Sequence, residues 1–284
     1  MVIFTLFAQQ DPLRKRRNQL FVSSTRAMRL RQTAESICCP TGERFLSYAA
    51  EICGEYAAVL QPFTCYIDDD LRMQNHGRIR YGCFCPRCLE LFSGHSGKKW
   101  TRETLVAELT ATGREVPVRL EWMKFNQERM AVLAGRIARE VHRKSPETRM
   151  GIQTCVFTEQ YNGVDFTPVY RALSEESGYP VRVRIGAGAY RDHDPDQLVM
   201  KALSLGNSAA NAVASGFVDH ICSEIENYPV TALSKSSYGT ALEALLGIAF
   251  GCRSVSAQLG QLFLMPDKFP EKLFRRLAAW RGIC

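Results

Sequence analysis

Apolar, β-branched segments alternate with amphipathic segments along this chain of 284 residues. Such an order predicts an α/β fold in which helical crossovers join the strands of a parallel sheet. Polar residues directly follow several of the apolar segments, and a (β/α)8 barrel gathers its active site at the carboxyl ends of its strands. The sequence therefore predicts a TIM barrel that is incomplete, because only about six strands can be counted, corresponding to strands 3 to 8. We expect one such domain over residues 1–284.

The spacing of apolar residues defines each predicted element. Phe45, Ala49 and Ile52 share one face at helical spacing, and Pro117 suits the first turn of a long amphipathic helix. The predicted strands are short apolar runs and cover residues 2–8, 63–67, 149–156, 181–189, 218–225 and 253–259. The predicted helices cover residues 41–60, 117–144, 196–214 and 270–279.

The composition is that of a soluble globular protein, with 46% hydrophobic and 23% charged residues. The sequence contains no apolar run of about 18 residues, so it predicts no membrane-spanning helix. The apolar residues 1–8 precede the basic residues 14–17, whereas a secretory signal carries its positive charge first. We therefore expect a cytoplasmic protein without a membrane partner.

The net charge of +7 is only a weak indication of nucleic-acid binding, because the basic residues are dispersed rather than interleaved with aromatic ones. The basic residues 14–17 are interpreted as an exposed loop, since short charge runs are usually solvated. We expect no nucleic-acid partner. The oligomeric state stays open, a homo-oligomer included.

Three thiols lie within six residues of one another, in the run formed by Cys83, Cys85 and Cys88. Such short spacings let thiolates from one loop converge on a tetrahedral metal ion. The total of 11 cysteines is odd and includes the adjacent Cys38 and Cys39, a pattern that favours a reduced metal site over a disulfide framework. The alternative is a set of reduced thiols in a tight turn. The flanking His76 and His95 could replace a thiolate, but both are interpreted as ordinary loop residues.

Two acidic clusters end predicted strands. Asp68, Asp69 and Asp70 follow residues 63–67, and Glu224 and Glu226 end the strand at residues 218–225 or follow it directly. Hydrolysis of a glycosidic bond needs two carboxyl groups, one to protonate the leaving oxygen and one to attack the anomeric carbon or activate water. The clusters are far apart in sequence, but both are expected at the functional rim of a barrel.

Strand alternation selects within each cluster, because residues two apart on a strand share a face. Asp68 and Asp70 therefore share one face, as do Glu224 and Glu226. The alternative is that these acids cap loops and pair with nearby cations. The nearby cations are Arg72, Arg78 and Lys235.

The order of these motifs resembles glycoside hydrolase family 42. The resemblance is carried by Cys39-Pro40, the acidic strand end, the Cys83–Cys88 run and Glu226-Asn227-Tyr228-Pro229. Members of that family are β-galactosidases built on a (β/α)8 barrel, and many have a cysteine zinc site. The resemblance implies a structural zinc ion bound by Cys39, Cys83, Cys85 and Cys88, with Cys38 as the alternative to Cys39.

The resemblance also implies catalytic roles. Glu226 matches the nucleophile, a glutamate three residues before a proline, while Asp69 and Asp70 stand where the family has an asparagine and the acid/base glutamate. Aspartate is one methylene shorter, so the carboxyl would lie about 1 Å or more back, and a misplacement on that scale can lower the rate by about 100-fold. We therefore expect a divergent relative rather than a true β-galactosidase.

Two strands of the family barrel have no counterpart ahead of residues 2–8. Six strands cannot close an eight-stranded barrel, so we expect the chain to be an N-terminally truncated part of a longer protein.

The leading hypothesis is a retaining glycoside hydrolase acting on a carbohydrate substrate, with Glu226 as nucleophile, Asp70 as acid/base and Asp69 positioning the sugar. Its remaining substrate-binding candidates are Asp68, Glu224, Tyr228 and Arg72. The alternative is a catalytically inactive carbohydrate-binding remnant of the same barrel. A zinc-stabilised interaction or nucleic-acid module is a third hypothesis, resting only on the cysteines and the positive charge.

Overall fold

The computed structural model describes residues 2–4, 21–23, 38–68, 71, 79–155, 166–186, 188–228, 234–258 and 269–279. The chain divides into two compact units. The first lies within Met1–Met150 and Thr158–Tyr179, and the second within Gly151–Phe157 and Pro180–Cys284.

Strand β1 (Val2–Phe4) of the first unit pairs in parallel with β3 (Thr64–Ile67), with Val2 opposite Cys65 and Phe4 opposite Ile67. Strands β2 (Phe21–Ser23) and β4 (Ile79–Cys83) form a separate antiparallel pair. The strands of this unit are β1 (Val2–Phe4), β2 (Phe21–Ser23), β3 (Thr64–Ile67), β4 (Ile79–Cys83) and the start of β5 (Arg149–Cys155). Its helices are α1 (Glu43–Leu60), α2 (Pro86–Ser96), α3 (Arg102–Thr110), α4 (Pro117–Lys144) and α5 (Thr167–Ser177).

Helix α4 is the central support of the first unit. It begins with Pro117 in its first turn and ends on His142, Arg143 and Lys144, whose positive charge complements the carboxyl end of a helix. Helix α1 packs closely on it, because a Cβ added at Gly54 would lie 2.7 Å from the Glu140 side chain. A residue larger than glycine at this position would separate the two helices.

An aromatic core fills the space between α2, α3 and α4. The rings of Phe84 and Trp122 stack with their centroids 5.1 Å apart, and Phe92 meets Trp122 edge-on at 4.8 Å. Phe125 stacks on Trp122 from the next turn of α4. All four side chains are buried. Since Phe84 lies between Cys83 and Cys85, this core anchors the cysteine-rich loop.

The second unit is a run of parallel strands with helical crossovers. Its register places Gln153, Arg184, Cys222 and Ser254 side by side on four neighbouring strands. The elements are the Gly151–Cys155 part of β5, β6 (Val181–Gly186), α6 (Pro195–Ala214), β7 (Val218–Glu226), α7 (Ser237–Ala249), β8 (Ser254–Gln258) and α8 (Phe269–Ala279).

The two faces of this sheet differ in chemistry. On one face, Ile225 packs in a buried cluster with Ala241 and Ala244 of α7 and with Leu273 of α8. The opposite face carries the polar residues of the register above, because side chains alternate along each strand. The helices therefore cover the apolar face, and the opposite face carries the polar side chains.

The parallel strands and helical crossovers confirm the α/β prediction and are consistent with an incomplete TIM-like barrel. The helix predicted at residues 117–144 is observed over the same residues, and each predicted strand is observed, with its described ends within three residues of the predicted ones. The predicted strand ends at residues 8, 156 and 259 lie outside the described residues. Four helices, α2, α3, α5 and α7, were not predicted. No helix in the described ranges is both long and apolar enough to cross a membrane.

Candidate active site and metal centre

Strand β7 brings two carboxylates to its carboxyl end. Glu224 and Glu226 lie on the same face, opposite the helix-packed Ile225, as the alternation of the strand requires. On the neighbouring β8, Ser256 lies beside Glu224 and Gln258 lies beside Glu226. The prediction that these two glutamates share a face is consistent with this arrangement.

Glu224 is held by two side chains, Arg184 from the neighbouring β6 and Gln153 from β5, the next strand along. Its Oε2 accepts a hydrogen bond of 2.6 Å from Gln153 Nε2, and its Oε1 lies 3.3 Å from Arg184 Nη2. The Arg184 and Glu224 side chains are only 7% and 16% exposed, so this ion pair is largely shielded from solvent. A shielded charge pair with a further hydrogen bond fixes its carboxylate in one orientation.

Gly186 gives the Glu224 carboxylate the room it occupies. A Cβ added at Gly186 would lie 2.4 Å from Glu224 Oε2 and 3.1 Å from Gln153 Nε2, both closer than atoms tolerate. Any side chain at this position would displace the carboxylate from the end of β6.

Glu226 differs from Glu224 in its surroundings. It is half-buried, and within the described part of the chain its carboxylate has no hydrogen-bond or ion-pair partner. Among the described residues, the Glu226 carboxylate is therefore oriented by its strand alone.

Two tyrosines lie beside this strand end. The rings of Tyr190, which follows β6, and Tyr228, which follows β7, meet edge to face with centroids 5.9 Å apart. Tyr228 is 57% exposed, unusually open for an aromatic side chain in contact with another ring. Flat aromatic surfaces with a polar hydroxyl suit a ligand that is apolar on one face and hydroxylated at its edge.

Asn227 fixes the turn between Glu226 and Tyr228. Its backbone N–H donates to the Gln258 carbonyl at 3.2 Å, and its buried Nδ2 donates to Thr240 Oγ1 of α7 at 3.1 Å. The Glu226-Asn227-Tyr228 segment is thereby attached to both β8 and α7.

A buried charge network lies on the helix side of the same strand end. Glu243 of α7 accepts from Lys201 Nζ of α6 at 2.5 Å and from Lys235 Nζ, and all three side chains are at most 3% exposed. Burial lowers the pKa of Lys235, although the adjacent Glu243 carboxylate acts against this. Lys235 thus pairs with Glu243 of α7. Among the described residues it makes no ion pair with Asp68, Glu224 or Glu226, the strand-end acids with which the sequence predicts an alternative pairing.

Sequence reasoning missed Arg184, Gln153, Lys201 and Glu243, although a signal was present for two of them. Arg184 belongs to the alternating run Val181-Arg182-Val183-Arg184, which predicts one polar strand face. Lys201 lies in helical register with the buried Leu205 and Ala209, a position where a charge requires a partner.

Part of the predicted site lies outside the described residues. Asp69, Asp70 and Arg72 are among them, so the acid/base assignment and the sugar contacts of Asp69 and Arg72 stay predictions. Asp68 is described: it is half-buried directly after β3, and its carbonyl accepts from the Leu71 N–H at 3.1 Å.

Four cysteines of the first unit converge on one point. The sulfur atoms of Cys39, Cys83, Cys85 and Cys88 all lie within 4.8 Å of one another, and all four side chains are buried. The Cys39 sulfur is 3.5 Å from those of both Cys85 and Cys88. Cys38, the alternative fourth ligand, is half-buried and outside this group.

These distances fit a tetrahedral metal ion. A Zn–S bond of about 2.3 Å places tetrahedral sulfurs about 3.8 Å apart, close to the observed separations. A disulfide needs about 2.05 Å, and none of the four cysteines forms one. Hydrogen bonds among the thiols lower the pKa of Cys39 and Cys85 and raise the pKa of Cys83 and Cys88, so protons are unevenly shared within the group. The group could hold a metal ion.

A strained irregularity inside β4 shapes the cysteine loop. Tyr81 and Gly82 have left-handed φ values of 65° and 88°, and Tyr81 is one of two non-glycine residues with positive φ in the described chain. Trp122 Nε1 donates to the Tyr81 carbonyl, and a Cβ at Gly82 would lie 2.9 Å from Asn126 Nδ2. Helix α4 therefore holds the part of β4 that leads to Cys83, and Cys85 follows at the N-cap position of α2.

A threonine supports the group, whereas the nearby histidine does not. Thr41 Oγ1 lies 3.0 Å from the Cys39 sulfur and 3.4 Å from that of Cys88. His95 is in the last turn of α2 and contacts the rings of Phe92 and Phe125. His76 lies outside the described residues.

Solved structures of two enzymes have a similar fold. The β-galactosidase from Rahnella sp. R3 matches 88% of this chain with a TM-score of 0.57 at 14% identity. The β-galactosidase from Bacillus circulans sp. alkalophilus matches 81% with a TM-score of 0.55 at 12% identity. The matched regions span 39% and 36% of the lengths of those two enzymes. No family model matches the chain, and no curated protein matches it. The chain therefore has a β-galactosidase-like fold.

Proposed function

We propose that this protein is a retaining glycoside hydrolase related to family 42, with Glu226 as its nucleophile. The observation that supports this most is the end of β7, where the half-buried Glu226 lies near the Tyr190–Tyr228 pair and two residues after Glu224, whose carboxylate Gln153 and Arg184 hold. The similarity of fold to two β-galactosidases is consistent with the proposal. A β-galactoside or a related glycoside is the substrate class.

The proposed reaction has two steps. A Glu226 carboxylate oxygen attacks the anomeric carbon as the bond to the leaving oxygen breaks, and Asp70 gives that oxygen its proton. Asp70 then removes a proton from water, whose oxygen attacks the anomeric carbon and releases Glu226. The sugar leaves with its original anomeric configuration, because each step inverts it once.

The residues around Glu226 have separate proposed roles. Arg184 and Gln153 hold Glu224 so that its carboxylate can accept hydrogen bonds from sugar hydroxyls without reorienting. The exposed face of Tyr228 forms a platform for the apolar face of the sugar. Asp69, Asp68 and Arg72 are proposed to contact the sugar from the end of β3.

We propose that the four-cysteine group binds zinc as a structural ion. Four thiolates fill a tetrahedral coordination sphere, so no position remains for water or substrate. The ion would join the Cys39 segment, the end of β4 and the start of α2. A thiolate site of this kind is stable in the reducing cytoplasm, the compartment we propose for the protein.

A carbohydrate-binding protein without turnover is the second candidate. The observation that favours it is Asp70, which stands where the resembled family has the longer glutamate. In this case a sugar would bind beside Tyr228, and neither carboxylate would complete a reaction.

Hydrolysis of an aryl β-galactoside by the full chain tests the proposal. We expect Glu226→Gln to lower kcat by at least about a thousandfold, since the nucleophile makes the covalent bond. Azide should rescue Glu226→Ala and yield a glycosyl azide of inverted configuration. Glu175→Gln, at an exposed position of α5, is the matched control and should retain wild-type activity. Unchanged turnover in Glu226→Gln would refute the assignment.

A further inference from the structure

Three charged side chains behind the end of β7 have no part in the proposed reaction. Lys201, Lys235 and Glu243 are 2%, 3% and 2% exposed, and they lie on the helix side of the sheet. Burying ions costs several kcal/mol each, and a pair of apolar residues would often be at least as stable. The presence of three buried charges at this position therefore points to a role other than stability.

The network connects to two backbone carbonyls as well as to itself. Lys201 Nζ donates to the Glu224 carbonyl of β7, and Lys235 Nζ donates to the Ala189 carbonyl at 2.5 Å. Each lysine also donates to one oxygen of the Glu243 carboxylate: Lys201 to Oε1 and Lys235 to Oε2. Through the two lysines, one helix side chain thus ties the loop that follows β6 to the carboxyl end of β7.

The two carbonyls belong to the segments that form the candidate sugar site. Ala189 directly precedes Tyr190, and Glu224 is two residues before Glu226 and four before Tyr228. The edge-to-face contact of the two tyrosines depends on both loops keeping their positions. Each loop has its own lysine, and Glu243 holds both lysines.

The charges of the network are unequal. Two lysines share one carboxylate, which leaves one positive charge in surplus behind a strand that carries two glutamates. Glu224 already has Arg184 as its partner on the other face. Asp192, whose Oδ2 accepts from the Ser236 N–H at 2.8 Å, is the other acid that acts on Lys235. Loss of one lysine would therefore leave a neutral buried pair, whereas loss of Glu243 would leave two unpaired ammonium groups.

We propose that Glu243, Lys201 and Lys235 are positioning residues that fix the Tyr190–Tyr228 platform and the Glu226 strand end for sugar binding. This inference rests on the proposed function for its sugar. Lys235 sets the loop that carries Tyr190, so it governs sugar affinity. Lys201 sets the end of β7, so it governs the reactivity of Glu226. Glu243 couples the two.

Amide hydrogen exchange on the intact full chain tests the positioning directly. We expect Lys235→Met to speed exchange in residues 188–192 by about tenfold, and Lys201→Met to do so in residues 224–228, with the rest of the chain little changed. Leu205→Ala is the matched control, because it removes a buried side chain one turn away on α6 without touching either carbonyl. Leu205→Ala should not speed hydrogen exchange in either segment more than in the rest of the chain.

The kinetic readout separates a positioning role from a structural one. With an aryl β-galactoside, we expect Lys235→Met to raise KM about tenfold with kcat within twofold, and Lys201→Met to lower kcat with KM little changed. Equal effects of Leu205→Ala on the same segments and constants would overturn the inference, as would unchanged exchange in both lysine variants. If the wild-type chain lacks glycosidase activity, the proposed function fails, while the exchange data still decide whether the lysines hold these loops.

Discussion

At the residue scale, Gly186 and Glu224 show how one missing side chain shapes the site. The carboxylate of Glu224 occupies the space in which a Cβ of residue 186 would lie. The strand pattern predicted that Glu224 and Glu226 share a face. It could not predict that Gln153 and Arg184 hold the Glu224 carboxylate while Glu226 has no such partner among the described residues, because this depends on residues from β5 and β6 that are distant in sequence.

We predict that Gly186→Ala impairs catalysis more than folding. The new methyl group displaces the Glu224 carboxylate from Gln153 and Arg184, and misplacement of about 1 Å can lower the rate by about 100-fold. The measurement is kcat/KM with an aryl β-galactoside, together with the melting temperature.

Gly94→Ala is the control for this substitution, since a Cβ at this helical position meets nothing within 4 Å. It should keep full activity and gain up to about 1 kcal/mol of stability. Equal activity in the two variants would contradict the role assigned to the Glu224 clamp.

Cys39 and Cys38 form a second residue-scale test, because adjacent cysteines differ in their position relative to the metal group. Cys39 lies with the other three thiols and Cys38 does not. We predict that Cys39→Ser lowers the bound zinc and weakens its affinity by tenfold or more, whereas Cys38→Ser leaves both unchanged. Metal content measured by mass spectrometry and competition with a chromophoric chelator report the two quantities. Zinc loss in Cys38→Ser with full retention in Cys39→Ser would refute the assignment.

At the element scale, the four-cysteine group brings together the end of β4, the start of α2 and the segment before α1. The chain here has two consecutive left-handed residues, Tyr81 and Gly82, and the interior of this unit is otherwise held by the aromatic core of α4. A metal ion that joins Cys39 to Cys83, Cys85 and Cys88 would link the segment preceding α1 to α2.

We therefore predict that chelation of zinc lowers the melting temperature of the protein. A metal ion that binds only the folded state stabilises it by mass action. Removing the ion therefore lowers the free energy of unfolding by the amount that zinc binding contributes at the free zinc concentration present. Acid should act in the same direction, because thiolates must be deprotonated to bind zinc and protons displace the ion as pH falls. Calorimetry with and without a chelator at pH 7.5 and pH 5.5 measures both effects. A melting temperature that chelator leaves unchanged at pH 7.5 would contradict the structural role of zinc.

The helices divide into those that the sequence could reveal and those that it could not. Helix α4 was predictable at both ends, since Pro117 opens it and a basic last turn closes it. Helix α2 was not predicted, because the spacing of Cys85 and Cys88 indicates metal ligands in a loop. Helix α7 is rich in small apolar residues, and its Glu243 is buried, so it lacks the polar face that marks an amphipathic helix.

At the scale of the whole molecule, the order of strands and helices carried most of the prediction. Alternation alone indicated parallel strands with helical crossovers, and four successive strands of the second unit pair in that way. The fold shared with two β-galactosidases at 14% and 12% identity means that it is maintained by the pattern of apolar faces rather than by particular residues. The catalytic pairing of Glu226 with Asp70 remains a prediction from sequence.

The most direct test of the central claim is covalent trapping of the nucleophile. Incubation of the chain with a 2-deoxy-2-fluoro-β-galactoside of good leaving group should add one fluorosugar mass to the intact protein, because the fluorine slows hydrolysis of the glycosyl-enzyme. Peptide mapping should locate the sugar on Glu226, and Glu226→Gln should form no adduct while Glu175→Gln forms it fully. An adduct on another residue, or no adduct on the wild-type chain, would contradict the assignment of Glu226 as the nucleophile of a retaining glycoside hydrolase.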